Sequence, residues 1–238
     1  MANFPFQRLQ ADLAALIQRT PAGSRLVSEP ELAKQLGVSR ATLREAMRTF
    51  ETQGLIRRRQ GAGTFVVGAV PVLDAGLEVL ESIETMARRR NLAITVSDLN
   101  LERVDADEEQ AGELGVAAGS CVTRVRRVMR ADTRPVAYLI DILPEDVLKV
   151  DDLPKDFDGS VLDFMLERGD DLRISRAAIS ATNATAEVAK ALEIQRGDVL
   201  LKFASELYMS EGRMVDHTLS YFIPGYFNFH VVRRIGNS

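Results

Sequence analysis

The chain has 238 residues, 46 % apolar and 27 % charged, with a formal net charge of −4. That length bounds it to one or two domains with a buried core, and the composition excludes a disordered or collagen-like chain. One cysteine, Cys121, and two histidines, His217 and His230, exclude an intrachain disulfide and a cysteine zinc site and leave little for a histidine metal site. No run of about 20 apolar residues is present for a membrane span. The start MANFPFQRLQADL lacks the basic end and apolar segment of a signal peptide, so the cytoplasm is the expected compartment.

The charge is unevenly spread. Residues 1–68 carry ten Lys/Arg against five Asp/Glu, and the remainder carries 20 against 29. A basic head on an acidic body points to a polyanionic partner for the head alone.

In chain order, Leu9, Leu13, Leu16 and Ile17 recur at helical spacing and predict a helix over roughly 6–19. Pro21, Gly23 and Ser24 end it. Ser28-Glu29-Pro30-Glu31 has the form of a capping box opening a short second helix that turns Leu32, Ala33 and Leu36 inward. Gly37 breaks that helix, and Ser39 caps a third over roughly 40–53. On this helix Leu43, Ala46, Met47 and Phe50 form one stripe and Arg40, Arg44 and Arg48 another. Two short extended segments, 55–59 and 64–67, flank Gln60-Gly61-Ala62-Gly63 as a hairpin.

Residues 68–76 read as a linker, and Leu77, Leu80, Ile83 and Met86 predict a helix to about Arg90. Beyond Leu92, strands are predicted over 121–130, 135–143, 172–182, 198–208 and 213–223. Short helices are predicted over 107–114, 160–168 and 186–192, with a turn at 209–212. The expected class is α+β, with a mainly antiparallel sheet in the C-terminal part. The domain boundaries expected are 1–68, a linker and connecting helix over 69–91, and 92–238.

Two helices joined by a tight glycine turn, the second bearing arginines, and then a basic hairpin describe a winged helix-turn-helix. Arg40, Thr42 and Arg44 lie near the N-terminus of the third helix, the end that enters a major groove. Arginine there can bond guanine bidentately, worth about 1–3 kcal/mol of discrimination. Gly61 and Gly63 permit close backbone approach to DNA, and Arg57, Arg58 and Arg59 supply charge.

The segment SRLVSEPELAKQLGVSRATLREAMRTFETQGLIRRRQGAGTFV closely resembles the DNA-binding head of GntR-type bacterial transcriptional regulators. The resemblance implies DNA contacts from Ser39, Arg40, Thr42 and Arg44, and from the wing, with Gln60, Gly61, Gly63 and Thr64 beside the three wing arginines. Pro30 stands where family members usually carry a DNA-touching arginine. The body resembles the UTRA effector domain of the HutC subfamily, through VTRVRRVMRADTRPVAYLIDILP, GSVLDFMLERGDDLRIS, ATAEVAKALEIQRGDVLL and YMSEGRMVDHTLSYFIPGYFNF.

That second resemblance implies a sheet related to the chorismate lyase fold, a small-molecule pocket and a homodimer. Sugar-phosphate sensors of the family use two arginines on one strand, a glutamate on the next, a serine near an aromatic, and an acidic residue on the last. The corresponding residues are Arg127 and Met129, Leu139, Ser160 and Leu162, and Asp216, with Tyr221 further along. Arg127, Ser160, Asp216 and Tyr221 are therefore the expected effector contacts. Losing one cation and one carboxylate implies a less polar effector, a carboxylate or an aromatic compound. Arg127 has an alternative in pairing with an acidic neighbour. Asp216 and His217 alternate faces on a strand, so one of them points away from the pocket.

The function these readings imply is a sequence-specific transcriptional repressor on a pseudopalindromic double-stranded DNA operator, controlled by a small molecule. It implies no enzyme activity, no cofactor and no metal. The alternatives are an architectural DNA-binding dimer without effector, and an enzyme of lyase-like fold.

Overall fold

Leu9, Leu13 and Ile17 are buried along one side of α1 (Phe4–Arg19). They meet Leu32 and Ala33 of α2 (Glu29–Gln35) and Leu43, Ala46, Met47 and Phe50 of α3 (Arg40–Thr52) in one core. Gly37, at φ +66°, takes the left-handed conformation that stops α2 and turns the chain into α3. Ser28 stands at the N-cap of α2 but makes no side-chain cap bond, so the capping box does not form; Glu31 accepts from Gln35 instead. The hairpin of β1 (Ile56–Arg59) and β2 (Gly63–Val66) closes this core with Ile56 and Val66. Ser24–Leu26 runs along the free edge of β2. Val66 N–H donates to Ser24, and Leu26 N–H donates to Thr64.

The structure, a computed structural model, describes residues 4–59, 62–67, 73–157 and 159–233. It divides into two units, Met1–Val72 with Pro224–Tyr226, and Leu73–Ile223 with Phe227–Ser238.

The second unit begins with β3 (Leu73–Gly76) and α4 (Ile83–Arg89) and continues through β4 (Ile94–Asp105) and α5 (Glu108–Leu114). Then follow β5 (Cys121–Ala131), β6 (Arg134–Pro144), α6 (Val161–Arg168), β7 (Leu172–Asn183), α7 (Ala186–Ala191), β8 (Val199–Met209) and β9 (Met214–Phe222). Last comes β10 (Phe227–His230), which pairs in parallel with β3. The main sheet has strand order β4-β5-β6-β9-β8-β7, antiparallel throughout. One face packs Val125, Leu143, Leu207 and Val215 against Val161 and Met165 of α6; on the other, Val122 and Ile142 pack against Ala111 and Leu114 of α5.

Five of the strands and the three helices expected beyond Leu92 form within a residue or two of their predicted bounds. Three strands, β3, β4 and β10, were not anticipated. β4 is an edge strand with a bulge between Ser97 and Asn100, where Asp98 takes φ +50°, so no clean alternation marks it. The helix predicted from Leu77 starts at Ile83, where Ser82 caps it by accepting from the Thr85 amide.

Candidate functional site

In the first unit, Ser39 Oγ accepts from the Thr42 amide at 3.0 Å and lies 2.8 Å from Thr42 Oγ1, so the start of α3 is capped locally. Burial of Leu43, Ala46, Met47 and Phe50 turns Arg40, Thr42 and Arg44 to solvent. Arg44 Nε donates to Glu29 at 2.7 Å. Arg58 lies 3.7 Å from Glu29 and 3.5 Å from Glu51, and its Nη2 donates to the Arg44 carbonyl at 3.3 Å. Glu29, on the neighbouring helix, thus organises one recognition arginine and one wing arginine. Arg57 is exposed and makes no ion pair among the described residues. Arg59 lies over the Phe65 ring at 5.4 Å.

In the second unit a cavity of about 570 Å³ opens on one face of the sheet, bounded by residues of β3, α4, α6 and β10. Strand register builds its floor. Arg127, Leu139, Ser220, Phe203 and Ile179 lie in one cross-strand row; Val125, Asp141, Thr218, Ser205 and Ala177 form the next. Asp216 follows two residues from Thr218 on the same face.

Arg127 is buried beneath the cavity between two carboxylates. Its Nε donates to Glu84 at 3.2 Å and its Nη1 to Asp141. Burial alone would lower the Arg127 pKa, but the charges of Asp141 and Glu84 hold it above its ordinary value. Thr218 Oγ1 lies 3.1 Å from an oxygen of Asp141 and 3.1 Å from one of Asp216. Burial, then the charge of Asp141, pushes the Asp216 carboxyl well above the usual carboxylate range, against the opposing influence of Thr218 and Arg127.

Residues 89–228 match the UTRA domain, and residues 6–66 match the bacterial regulatory proteins of the gntR family. The UTRA match alone spans more than half of the chain. The chain is a UTRA-domain regulator of the gntR family. It is similar to the HTH-type transcriptional repressor NagR of Bacillus subtilis (strain 168), 30 % identical over 88 % of this chain and 86 % of the relative. It is 32 % identical to the histidine utilization repressor of Klebsiella aerogenes, over 74 % of this chain and 72 % of that one. The crystal structure of PhnF from Mycobacterium smegmatis shares its fold, with a TM-score of 0.65 at 23 % identity, covering 96 % of this chain and all of the other. It is a DNA-binding transcription regulator with an effector-binding domain, not an enzyme.

Against this geometry the expected contacts divide. In the regulator's head, Ser39, Arg40, Thr42, Arg44, Arg57 and Arg59 are exposed, and Gly63 is half-buried at φ +110°. Thr64 is a correction: it is 6 % exposed, buried rather than presented to solvent. Arg58 is held by two glutamates. Gln60 and Gly61 lie outside the described residues, as does most of the expected linker. In the body, Arg127 and Asp216 line the cavity.

Two body contacts are corrected. Ser160 is the buried N-cap of α6, accepting from the Asp163 amide, and is not in the cavity wall. Tyr221 is on the opposite face, where it stacks with Tyr138 at 6.4 Å. His217 is on that face too, 2.5 Å from Glu113.

The sequence reading missed Glu84, Asp141 and Thr218. It placed the missing carboxylate at Leu139, but Asp141, one step along the same face of β6, supplies one. Alternation on a strand allowed either position. Glu84 comes from α4, whose packing on the sheet no local pattern announces.

Proposed function

We propose that the regulator is a repressor that binds a pseudopalindromic operator as a homodimer in the cytoplasm and releases it when a small molecule fills the cavity. The observation that carries this is the Ser39-capped α3, which presents Arg40, Thr42 and Arg44 to solvent opposite a fully buried stripe. A capped helix of this kind, with basic residues in its first turns, suits major-groove readout. The relatives named as repressors support the sign of regulation. No helix among the described residues is long and apolar enough to cross a membrane.

The cavity suits an effector with a substantial apolar part, since Leu139, Leu162, Phe203 and Phe222 line it. A carboxylate effector finds less support, because Arg127 is already matched by Glu84 and Asp141. Control runs through α4. Glu84 ties it to Arg127, while Ser82, Thr85 and Arg88 all donate to Asp163 of α6. A ligand that disturbs the Glu84 contact biases the element that follows the head in sequence.

The test is reciprocity. A thermal-shift panel of amines, carboxylates, aromatic acids, amino acids and sugar phosphates identifies a ligand; at 100 times its Kd, about 2.7 kcal/mol of stabilisation is expected. That ligand should weaken operator binding by the same factor by which operator weakens ligand binding. Operator affinity indifferent to every stabilising ligand would refute effector control.

A further inference from the structure

Three carboxylates surround one guanidinium in the cavity. Glu84, Asp141 and Asp216 are each more than nine-tenths buried, as is Arg127, and all four line the wall. Arg127 neutralises one of them, leaving the set acidic. Two oxygens, Glu84 Oε2 and Asp216 Oδ1, are buried without a hydrogen-bond partner among the described residues. Buried acceptors left in this condition are costly.

The Thr218 hydroxyl lies within bonding distance of both Asp141 and Asp216, yet it has a single proton to donate. A proton on Asp216 completes the chain, Asp216 donating to Thr218 and Thr218 to Asp141. The raised pKa of Asp216 agrees with that arrangement. Around these groups the wall carries Leu139, Leu162, Phe203 and Phe222 together with Ser175, Ser205 and Ser220; Glu78 and Glu81 add two further carboxylates, and Arg173, its other cation, is exposed. Among the described residues no group of three or more His, Cys, Asp or Glu is placed to hold a metal ion.

We infer that the cavity takes an organic cation, a protonated amine or amidine joined to an apolar body, whose N–H groups satisfy Asp216 and Glu84 while the body lies on Leu139, Leu162, Phe203 and Phe222. Binding displaces the Asp216 proton to solvent, so the charge entering the cavity is matched by a charge that forms there. An anionic ligand meets the opposite situation, with Arg127 already paired and a carboxylate in excess. This assignment rests on the effector reading and adds the chemical class of the effector.

The experiment uses the full chain and three isosteric probes: 2-phenylethylammonium, 3-phenylpropionate and 2-phenylethanol. Calorimetry gives the affinities, and the methyl resonances of Leu139 and Leu162 report occupancy of the cavity. The ammonium compound is expected to bind at least tenfold tighter than either isostere. It should release protons, seen as heats that differ between buffers of unequal ionisation enthalpy, and its preference should vanish in Asp216→Asn and shrink in Glu84→Gln. Equal or tighter binding of the carboxylate or the alcohol overturns the assignment, as does an ammonium preference unchanged in Asp216→Asn. If the carboxylate or alcohol moves the methyls and lowers operator affinity, effector control stands and the cationic class falls. If no probe moves them, the cationic class falls, and effector control is decided separately by the reciprocity test.

Discussion

Thr218 stands directly opposite Asp141 across the β6–β9 ladder, and its Oγ1 lies 3.1 Å from the Asp141 carboxylate. That contact places one hydroxyl between two buried carboxyls, the second being Asp216, whose pKa burial and the Asp141 charge raise. The folded chain therefore holds a proton that the unfolded chain loses near the ordinary value of 3.8. Stability present at acid pH is lost as pH rises from that value through the raised one. Asp216→Asn removes this loss. Its melting temperature relative to wild type should climb as pH rises above the ordinary value of 3.8, by about 2–4 °C for each kcal/mol relieved. Parallel curves for the two proteins would refute the shift.

Arg127 is the counter-charge for Glu84 and Asp141, and Arg127→Ala leaves both carboxylates buried without it. The expected cost is about 3–5 kcal/mol, a fall of roughly 6–20 °C in the unfolding of the second unit. Arg124→Ala breaks a pair with Glu102 that is about 30 % exposed on both sides, and should cost under about 1 kcal/mol. Similar losses from both variants in thermal melts would contradict the buried-triad account.

In the head, Arg44 and Arg57 are predicted to fail differently. Arg44→Ala should weaken operator binding by about 1–3 kcal/mol while sparing binding to unrelated DNA. Arg57→Ala should weaken both alike and reduce the salt slope by about one. Anisotropy titrations at several salt concentrations separate these patterns. Arg58 is a poorer choice for the second variant, since Glu29 and Glu51 hold it.

Glu29 lies 2.7 Å from Arg44, so Arg44 must exchange a carboxylate for DNA on binding. An Arg44 side chain 57 % exposed makes that pair weak, worth about 0–1 kcal/mol. Glu29→Gln is expected to raise operator affinity by up to about fivefold. Reduced affinity would mean that Glu29 positions Arg44 for readout rather than restraining it.

The legibility of the chain follows the range of the interactions. Helix α3 was readable because its cap, its apolar stripe and its arginines are all local. The five strands β5 to β9 were readable because each alternates or runs apolar over ten or so residues. β3 and β10 have four residues each and exist through each other, at more than 150 positions of separation, so no local pattern reveals them. The cavity was half legible: Arg127 and Asp216 were found by motif. Asp141 was hidden behind a one-step ambiguity along β6, and Glu84 behind the docking of a seven-residue helix. Tyr221 was misplaced because an aromatic cluster near the C-terminus does not disclose which face of β9 each ring occupies.

The most direct measurement is selection of duplex DNA from a random pool by the full wild-type chain, with sequencing of what is retained. The account predicts enrichment of one sequence arranged as two inverted half-sites, with centres a whole helical turn or turns apart, and loss of that enrichment in Arg44→Ala. Retention without sequence preference, or an enriched site unchanged in Arg44→Ala, would contradict the assignment of α3 as the element that reads DNA.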